Sequence, residues 1–303
     1  MKKPLVSIVI NTKNEEKNIQ NCLDSIKSQD YKEIEIIVVD NNSADKTKEI
    51  SKKYTKKIFN IGPERSVQKN YGILKIARGK YVMHIDADMI LSPSLVGACV
   101  DLLEKKRFVA LHIPEIVLGR KYFSKVRRFE RSFYDSTPID GARFFLRDVF
   151  IKTGGFDEKL YACEDWDLDK KIKKIGKIGL LNQEEEEEEE EDTWKLKEII
   201  LKKGVNPQEY RCVIYHNESE FDLKKYLNKK RYYSVNFKEY INKWSKEDPD
   251  IKKQFGVYYR FFGVFIEKNK WKRFFSKPQL VLGMYFLRFL VGITFVLRRK
   301  NEI

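Results

Sequence analysis

LVSIVINTKNEE, residues 5–16, joins an apolar run rich in β-branched residues to a polar and acidic segment. A run such as Leu5–Ile10 is typical of a buried parallel strand, and the polar residues after it are typical of a loop. Asn14, followed by two glutamates, predicts the cap and first turn of a helix. The apolar residues beyond it recur at helical spacing, at Ile19, Cys22, Leu23 and Ile26.

The alternation of strand and helix repeats as far as residue 88. Further strand patterns are IEIIVVD (34–40), Ile58–Ile61 and KYVMHIDAD (80–88), and helix patterns end at Tyr54 and cover Ser66–Ala77. Because strands and helices alternate, the sequence predicts an α/β fold with a doubly wound, mostly parallel sheet. We expect Phe108–Val117 and Gly141–Phe145 to add strands to the same sheet.

Acidic residues follow two of these strands. Ligands of doubly wound sheets bind at the carboxyl ends of the strands, where Asp40, Asp86 and Asp88 fall. Asp86 and Asp88 are one residue apart and form a hard oxygen site suited to Mg²⁺ or Mn²⁺ on a diphosphate. Such a metal neutralises the charge that develops on a leaving group. Two acidic residues in a turn can equally be a solvated pair.

Four segments, in order, resemble glycosyltransferase family 2, whose members have the GT-A fold. They are SIVINTKNEE (7–16), IIVVDNNSADKT (36–47), RSVQKNYGILKIARGKYVMHIDAD (65–88) and GARFFLRDVFIKTGGFDEKLYACEDWDL (141–168). The resemblance covers about residues 5–174. It implies an inverting, metal-dependent enzyme that moves a sugar from a nucleoside-diphosphate donor to a hydroxyl of a glycan or lipid-linked glycan. A UDP-sugar is the favoured donor, and a GDP-sugar is the alternative.

The resemblance also implies roles for individual residues. The donor's base and ribose would contact Thr12, Asn14, Glu15 and Asp40. For Asp40 the alternative is a helix-capping role without contact to the donor. Lys69 would lie near the diphosphate, and Asp86 near the ribose or the metal. Asp88 would be the direct ligand of Mn²⁺ or Mg²⁺, and His216 would complete the metal site or be a structural histidine.

Glu164 and Asp165 match the acidic pair that carries the general base of the family. Asp165 would take the proton of the acceptor hydroxyl as that hydroxyl attacks the anomeric carbon opposite the departing diphosphate. Glu164 would orient the acceptor or the loop. Gly154 and Gly155 would let the chain turn beneath the donor sugar, since glycine accepts backbone angles closed to other residues.

The chain departs from the family between Gly179 and Arg211, which includes eight consecutive glutamates at 184–191. We interpret 183–210 as an insertion in a catalytic domain of residues 1–222. If the insertion displaced the chain that follows it, the assignment of His216 would be affected first. Residues 223–303 would form a second, helical region.

The C-terminal third carries most of the net charge of +15. From Leu201 onward there are 23 Lys and Arg against 10 Asp and Glu. These basic residues are interspersed with aromatic and aliphatic ones, a mixture that anionic lipid headgroups attract, and no nucleic-acid-binding motif accompanies them. The sequence therefore predicts attachment to an anionic membrane surface.

Residues 279–297 are mostly apolar and just long enough to cross a bilayer, but Arg288 interrupts them. We therefore expect the region to lie on the cytosolic face of the membrane rather than to span it, with a buried helix of the protein as the alternative. The four cysteines are widely spaced and the N-terminus lacks a secretory pattern, as expected for a cytosolic domain.

Three other functions compete with this one. A polyprenyl- or dolichyl-phosphate sugar synthase would use a lipid phosphate as acceptor and would need no base. A sugar nucleotidylyltransferase would need a glycine-rich phosphate loop after the first strand, and NTKNEE (11–16) is not such a loop. A non-catalytic membrane scaffold would not need both the acidic motif and the candidate base.

Overall fold

The computed structural model describes residues 3–181, 194–217 and 221–301, with only the backbone described for 295–301. The run of glutamates lies outside the described residues. The described strands are β1 (Val6–Thr12), β2 (Ile34–Asp40), β3 (Ile58–Asn60), β4 (Tyr81–Asp86), β5 (Met89–Leu91), β6 (Phe108–His112), β7 (Glu115–Val117), β8 (Phe144–Leu146), β9 (Lys177–Leu180) and β10 (Ile214–His216).

Seven of these strands form one sheet in the order β3-β2-β1-β4-β8-β6-β9. All neighbours are parallel except at β8, which runs antiparallel to both β4 and β6. The predicted α/β fold with a mostly parallel sheet is therefore confirmed. Every residue of β1 is buried, because helices cover both faces of a parallel sheet. Ile8 and Ile10 contribute to the core on one face, and Val9 to the core on the other.

One predicted strand segment divides between two sheets. Phe108–His112 joins the main sheet as β6, whereas Glu115–Val117 forms β7 in a separate three-stranded sheet ordered β5-β10-β7. The expectation that all of Phe108–Val117 lies in the main sheet was wrong. Apolar pattern identifies a strand but not the partner with which it pairs. The second sheet brings His216, the last residue of β10, opposite Met89, which follows Asp88 directly.

The described helices connect and follow these strands. They are α1 (Ile19–Lys27), α2 (Thr47–Lys52), α3 (Arg65–Asn70), α4 (Leu95–Lys105), α5 (Tyr122–Arg131), α6 (Arg147–Lys152), α7 (Glu164–Lys173), α8 (Lys197–Lys202), α9 (Leu223–Tyr233), α10 (Phe237–Trp244), α11 (Pro249–Phe255), α12 (Val264–Ile266), α13 (Arg273–Ser276) and α14 (Pro278–Asn301). Helix α3 continues as a π-helix over Tyr71–Ile76, and a second π-helix covers Tyr259–Gly263. Short 3₁₀ helices cover Pro207–Glu209, Ser234–Asn236 and Glu267–Lys272.

The first helix starts later than the sequence predicts. Asn18, not Asn14, precedes α1, and Asn14 has a left-handed backbone with φ of 53°. Asparagine tolerates this conformation better than most residues. The backbone N–H of Asn14 donates to Ser43 Oγ at 2.8 Å, and its Oδ1 accepts from the N–H of Ala44 at 2.9 Å. Asn14 therefore ties the loop after β1 to the loop after β2.

The segment from Trp194 to Tyr210 folds against the second sheet. Its helix is short, since α8 ends at Lys202 and Gly204 follows with φ of 78°. Ile200 and Val205 pack with Ile90 and Tyr215 of the three-stranded sheet. This part of the predicted insertion thus supports the sheet that carries His216.

The C-terminal helix α14 packs against α5 and the residues that follow α5. Met284 and Leu287 of α14 are buried against Val126 and Phe133 of the α5 region. Arg288 is buried, and its Nε donates to Glu130 Oε1 at 2.8 Å. Among the described residues, no helix, α14 included, is both long and apolar enough to cross a membrane.

Candidate active site

A cavity of about 900 Å³ lies at the carboxyl ends of β1 and β4, between α3, α7 and α9. Its volume falls within the range of roughly 300–1,000 Å³ usual for small-molecule sites. The structure brings eight of the ten predicted site residues to its lining: Thr12, Glu15, Lys69, Asp86, Asp88, Glu164, Asp165 and His216. Since these residues lie up to two hundred positions apart in sequence, the strand order of the sheet is what assembles them.

Asp40 and Asn14 are absent from this lining. Asp40 is fully buried, and Ser43 donates to both of its oxygens, from its N–H at 2.7 Å and from its Oγ at 2.5 Å. These hydrogen bonds close the turn after β2, and Asp40 caps no described helix, because α2 begins only at Thr47. Because Asp40 is fully buried, a direct contact with a nucleoside base would require the residues that cover it to move. Asn14 is exposed and holds the two loops together as described above.

Asp86 lies at the end of β4, opposite the end of β1. Asn11 Nδ2 donates to Asp86 Oδ1 at 2.7 Å. Burial raises the pKa of Asp86, but the positive charges of Lys69, Arg65 and Arg143 outweigh it and hold that pKa well below its ordinary value. Asp86 is therefore a carboxylate at neutral pH, with the charge that contact with a metal requires.

Asp88 and His216 meet in the cavity. His216 Nε2 lies 3.3 Å from Asp88 Oδ2, while Asp88 Oδ1 is buried and has no hydrogen-bond partner. A buried carboxylate oxygen without a partner fits a divalent cation, which accepts oxygen and imidazole ligands. Within the described residues, however, no three His, Cys, Asp or Glu side chains converge as a metal cluster. Asp88 and His216 could thus supply two ligands.

Glu115 stands behind His216 and was not predicted. It is buried and pairs with Arg131 Nη2 at 2.7 Å and with Nε of Arg143, and His216 Nδ1 lies 3.8 Å from it. Burial raises the pKa of Glu115, but the positive charges of Arg131 and Arg143 outweigh burial and lower that pKa to about 2. Glu115 thus places negative charge near one ring nitrogen of His216, while the other ring nitrogen faces Asp88.

Lys69 does not point to solvent as a helical lysine usually does. It is buried, and its Nζ lies 3.8 Å from Glu164 Oε1 and 3.4 Å from Asp165 Oδ1. The same Nζ lies 4.8 Å from the centre of the Phe156 ring. Lys69 therefore contacts the two acidic residues directly, and local sequence patterns do not predict this contact because 96 positions separate Lys69 from Asp165.

The two acidic residues differ in environment. Burial and then the neighbouring charge of Asp165 raise the pKa of Glu164. Burial also raises the pKa of Asp165, but Lys69 and other positive neighbours outweigh it and lower that pKa overall. Both residues lie in the first turn of α7, where the helix N-terminus favours negative charge. Asp165 is the more exposed of the two and is ionised at neutral pH.

The turn at Gly154 and Gly155 supports α3 rather than the cavity. Both glycines have φ of 75°, as predicted for a turn that only glycine adopts easily. Asn70 Oδ1 accepts from the N–H of Phe156 at 2.8 Å, and Asn70 Nδ2 donates to the carbonyl oxygen of Phe156 at 2.9 Å. The turn is thereby joined to the end of the helix that carries Lys69.

Arg65 and Tyr233 add a contact between the sheet's helices and the C-terminal region. Arg65 Nη2 donates to the hydroxyl of Tyr233 at 3.1 Å and lies 4.0 Å from Glu164 Oε1. Arg65 is four positions before Lys69, so both project from the same side of the helical segment. That spacing was the available signal for Arg65, whereas nothing in the sequence indicated that Tyr233 reaches this site.

The fold is that of the GT-A nucleotide-sugar transferases, with the D-x-D motif after β4 and the acidic pair at the start of α7. Residues 7–156, about half of the chain, match the family described as Glycosyl transferase family 2. Over these residues the chain is similar to that family. An uncharacterized glycosyltransferase of Methanocaldococcus jannaschii is 30% identical over 187 residues, which are 55% of this chain and 64% of that relative. The aligned part is thus less than two thirds of the relative's length.

Two solved structures share the fold. A mannosyltransferase from Pyrobaculum calidifontis, solved in complex with GDP-Man and Mn²⁺, superposes with a TM-score of 0.59 at 16% identity. The superposition covers 99% of this chain and 80% of the mannosyltransferase. S. aureus TarS 1-349 in complex with UDP superposes with a TM-score of 0.51 at 18% identity, covering 90% of this chain and 72% of TarS 1-349.

Proposed function

We propose that this protein is an inverting, metal-dependent glycosyltransferase. Its donor would be a nucleoside-diphosphate sugar, a UDP-sugar in the first place and a GDP-sugar as the alternative. Its acceptor would be a hydroxyl of a glycan or lipid-linked glycan at a membrane surface. The two solved structures were obtained with UDP and with GDP-Man and Mn²⁺, which agrees with this class of donor but does not choose between the bases.

The observation that carries the proposal is a cavity lined by polar atoms without partners. Asn11 Oδ1, Thr12 Oγ1 and Asp88 Oδ1 are buried and make no hydrogen bond, and all three residues line the cavity. Buried polar groups are nearly always hydrogen-bonded, so three unpaired ones at the end of β1 and beyond β4 fit a polar ligand or ion. Asp165, at another part of the same cavity, supplies a carboxylate for catalysis.

Asp88 and His216 would hold the divalent cation, and Asp86 would face the ribose or that cation. When bound, the cation supplies positive charge to the departing diphosphate. Lys69 and Arg65 add positive charge to the same cavity, and Arg143 balances the carboxylate of Asp86 from behind. Glu115 adds negative charge near the other ring nitrogen of His216.

Asp165 would act as the general base. The acceptor oxygen bonds to the anomeric carbon while the bond from that carbon to the diphosphate oxygen breaks on the opposite face. The hydroxyl proton passes to the Asp165 carboxylate, and the configuration at the carbon inverts. Lys69 keeps Asp165 ionised before the reaction, so the proton moves late, once the attacking oxygen has become acidic.

Thermal unfolding in the presence of nucleotides tests the proposal. We expect UDP or GDP, or one of their sugars, to raise the melting temperature when Mn²⁺ is present. A ligand at a hundredfold excess over its Kd adds about 2.7 kcal/mol to the free energy of unfolding. Asp88→Ala should remove this effect without lowering the melting temperature of the unliganded protein, because it removes a candidate metal ligand and no core contact. A nucleotide effect that persists in Asp88→Ala or in EDTA contradicts the metal role.

A lipid-phosphate acceptor is the second candidate. A phosphate is already ionised and needs no base, and several Lys and Arg side chains line the cavity beside Asp165. Full transfer activity in Asp165→Asn would favour this candidate. We rank this candidate second because Lys69 keeps Asp165 as a carboxylate in the cavity. That carboxylate would repel an anionic acceptor.

We also propose that the C-terminal helices attach the enzyme to an anionic membrane. Support comes from α14, whose face away from the protein carries an apolar stripe of Leu282, Phe286, Phe289 and Ile293, exposed by 74, 49, 62 and 38%. These positions follow helical spacing. Large apolar side chains rarely lie together in water, and Lys272, Arg273 and Lys277 just before the stripe suit anionic headgroups.

A further inference from the structure

Two helices present positive charge to the cavity. Arg127 and Arg131 project from α5, and Lys225, Lys229 and Lys230 from α9. Arg127 and Arg131 are four residues apart, as are Lys225 and Lys229, and like charges at that spacing destabilise a helix. The three lysines of α9 span about 7.5 Å of its axis at 1.5 Å per residue, and together with the two arginines they form a basic wall of the cavity. An anion placed along this wall offsets the repulsion.

The electrostatics of Lys230 agree with an anion site. Burial, and then the charges of Arg127 and Arg260, lower the pKa of Lys230 to about 7. Arg260 Nη1 is itself buried without a hydrogen-bond partner. Arg127 and Lys230 also approach one ring, that of Tyr226, each at 5.5 Å from its centre. A phosphate here restores the charged form of Lys230.

Aromatic rings join this basic wall to the apolar stripe on α14. Phe286 of the stripe lies 6.2 Å from Phe123, ring centre to ring centre. Phe123 lies 5.2 Å from Phe221, which lies 5.4 Å from Tyr226. Phe221 and Tyr226 line the cavity, and Tyr226 carries the cations described above. A continuous apolar path therefore leads from the stripe to the wall.

We propose that the acceptor is a lipid-linked glycan whose phosphate or diphosphate, between the lipid and the sugar, binds the basic wall of α5 and α9. The lipid follows the path Phe286–Phe123–Phe221, and the glycan extends toward Asp165. This proposal rests on the proposed function and gives it an acceptor class. The geometry separates three chemical parts: an apolar path, a cationic wall and a carboxylate.

Binding of farnesyl diphosphate to the full chain tests it, with farnesol and inorganic diphosphate as partial probes. We expect farnesyl diphosphate to bind more tightly than either. Lys225→Gln combined with Lys229→Gln should weaken the binding of farnesyl diphosphate by about tenfold or more. The loss of one charge-assisted contact already lowers affinity by roughly that factor. The matched control is Lys224→Gln, on the same helix but outside the cavity lining, which should change the affinity little.

The apolar path has its own variant. Phe221→Ser should weaken the binding of farnesyl diphosphate and leave that of inorganic diphosphate little changed, because it removes an apolar ring and no positive charge. Phe275→Ser, an exposed aromatic residue outside the path, is its control. Equal loss for both probes in Phe221→Ser, or no loss for either, contradicts the path.

Two further outcomes would overturn the proposal. Displacement of farnesyl diphosphate by UDP with Mn²⁺ would assign the wall to the donor's diphosphate. Weaker flotation of the lysine variant on phosphatidylglycerol vesicles, with unchanged farnesyl diphosphate binding, would assign the wall to headgroups. If this inference fails but the lysine variant still binds nucleotide, the proposed function stands. If the unmodified chain shows no nucleotide effect at all, the proposed function itself is refuted.

Discussion

Lys69, Glu164 and Asp165 form a group of interacting charges in the cavity. One lysine lies within 4 Å of both carboxylates, so each proton that one group gains changes the charge felt by the others. The helix start and Lys69 favour the ionised form of Asp165, while burial favours the protonated form of Glu164. Neighbouring acids thus acquire different protonation states from different environments.

Asp165→Asn is expected to reduce sugar transfer by roughly a hundredfold or more, the scale of losing a general base, with near-normal donor binding. The amide keeps the shape of the side chain but cannot accept the proton. Steady-state transfer rates and nucleotide calorimetry measure the two effects. Asp148→Asn, at an exposed helical position, is the control. Equal losses of donor affinity and turnover would make Asp165 a binding residue.

The pH dependence of kcat/KM should report Glu164, because this parameter follows the ionisation of the free enzyme. Below its raised pKa, Glu164 is protonated, and Lys69 and Arg65 then act more strongly on Asp165 and weaken it as a base. We therefore expect kcat/KM to fall as pH decreases through a value well above the ordinary glutamate pKa of 4.5. Glu164→Gln should remove this limb. An unchanged profile in that variant would exclude Glu164 as its origin.

Among the elements, the turn at Gly154–Gly155 allows a matched comparison. Both residues have φ of 75°, but a Cβ at Gly155 would lie 2.5 Å from Asn70 Oδ1, whereas a Cβ at Gly154 would meet nothing within 4 Å. Gly154→Ala should cost about 1–2 kcal/mol of unfolding free energy, the cost of a left-handed non-glycine residue.

Gly155→Ala should cost more than Gly154→Ala, because it adds a clash with the side chain that holds the turn to α3. Denaturant unfolding of the two variants, with the midpoint and slope compared, gives the difference. Transfer activity should fall further in Gly155→Ala, since Asn70 follows Lys69 directly. Equal stabilities of the two variants would contradict the packing argument.

Helix α14 has two distinct faces. Its inner face holds Met284, Leu287 and Arg288 against α5, and Arg288 also donates to the hydroxyl of Tyr134 at 2.6 Å. The arginine that interrupts the apolar run thus has structural partners, Glu130 and Tyr134. Its outer face carries the apolar stripe, so the helix is packed on one side and presents apolar surface on the other.

For the whole molecule, the cavity depends on both parts of the chain. The sheet and its helices supply Asp86, Asp88 and Asp165, and α9 supplies Tyr233 and the lysines. A protein attached to a membrane through α14 would bring the aromatic path and the α9 wall near the lipid surface. The proposed attachment and the proposed acceptor therefore belong to one arrangement.

Flotation on anionic liposomes tests the attachment. Changing Leu282, Phe286 and Phe289 together to Ser should reduce flotation strongly, because it removes the exposed apolar surface and keeps the inner face. High salt should weaken flotation of the unmodified chain without abolishing it, since screening removes only the electrostatic part. Changing Ile151 and Ile175, exposed elsewhere, to Ser is the control. Undiminished flotation of the triple variant would refute attachment through the stripe.

The order of strands and helices through residue 88 could be read from apolar periodicity, because burial on a parallel sheet leaves long apolar runs such as Leu5–Ile10. The D-x-D motif and the acidic pair at 164–165 were also visible, since each is local. Helix starts were less predictable: Asn14 had the composition of a cap, but its side chain accepts from Ala44, a partner in another loop.

Tertiary structure alone decided which distant side chains meet. Pairing of β10 with β5 places His216 beside Asp88, and the fold of α3 against α7 places Lys69 between Glu164 and Asp165. It also withdrew Asp40 from the cavity and directed Tyr233 toward Arg65. Periodicity reports whether a side chain is buried, whereas the identity of its neighbour depends on strand order and on the packing of helices far apart in sequence.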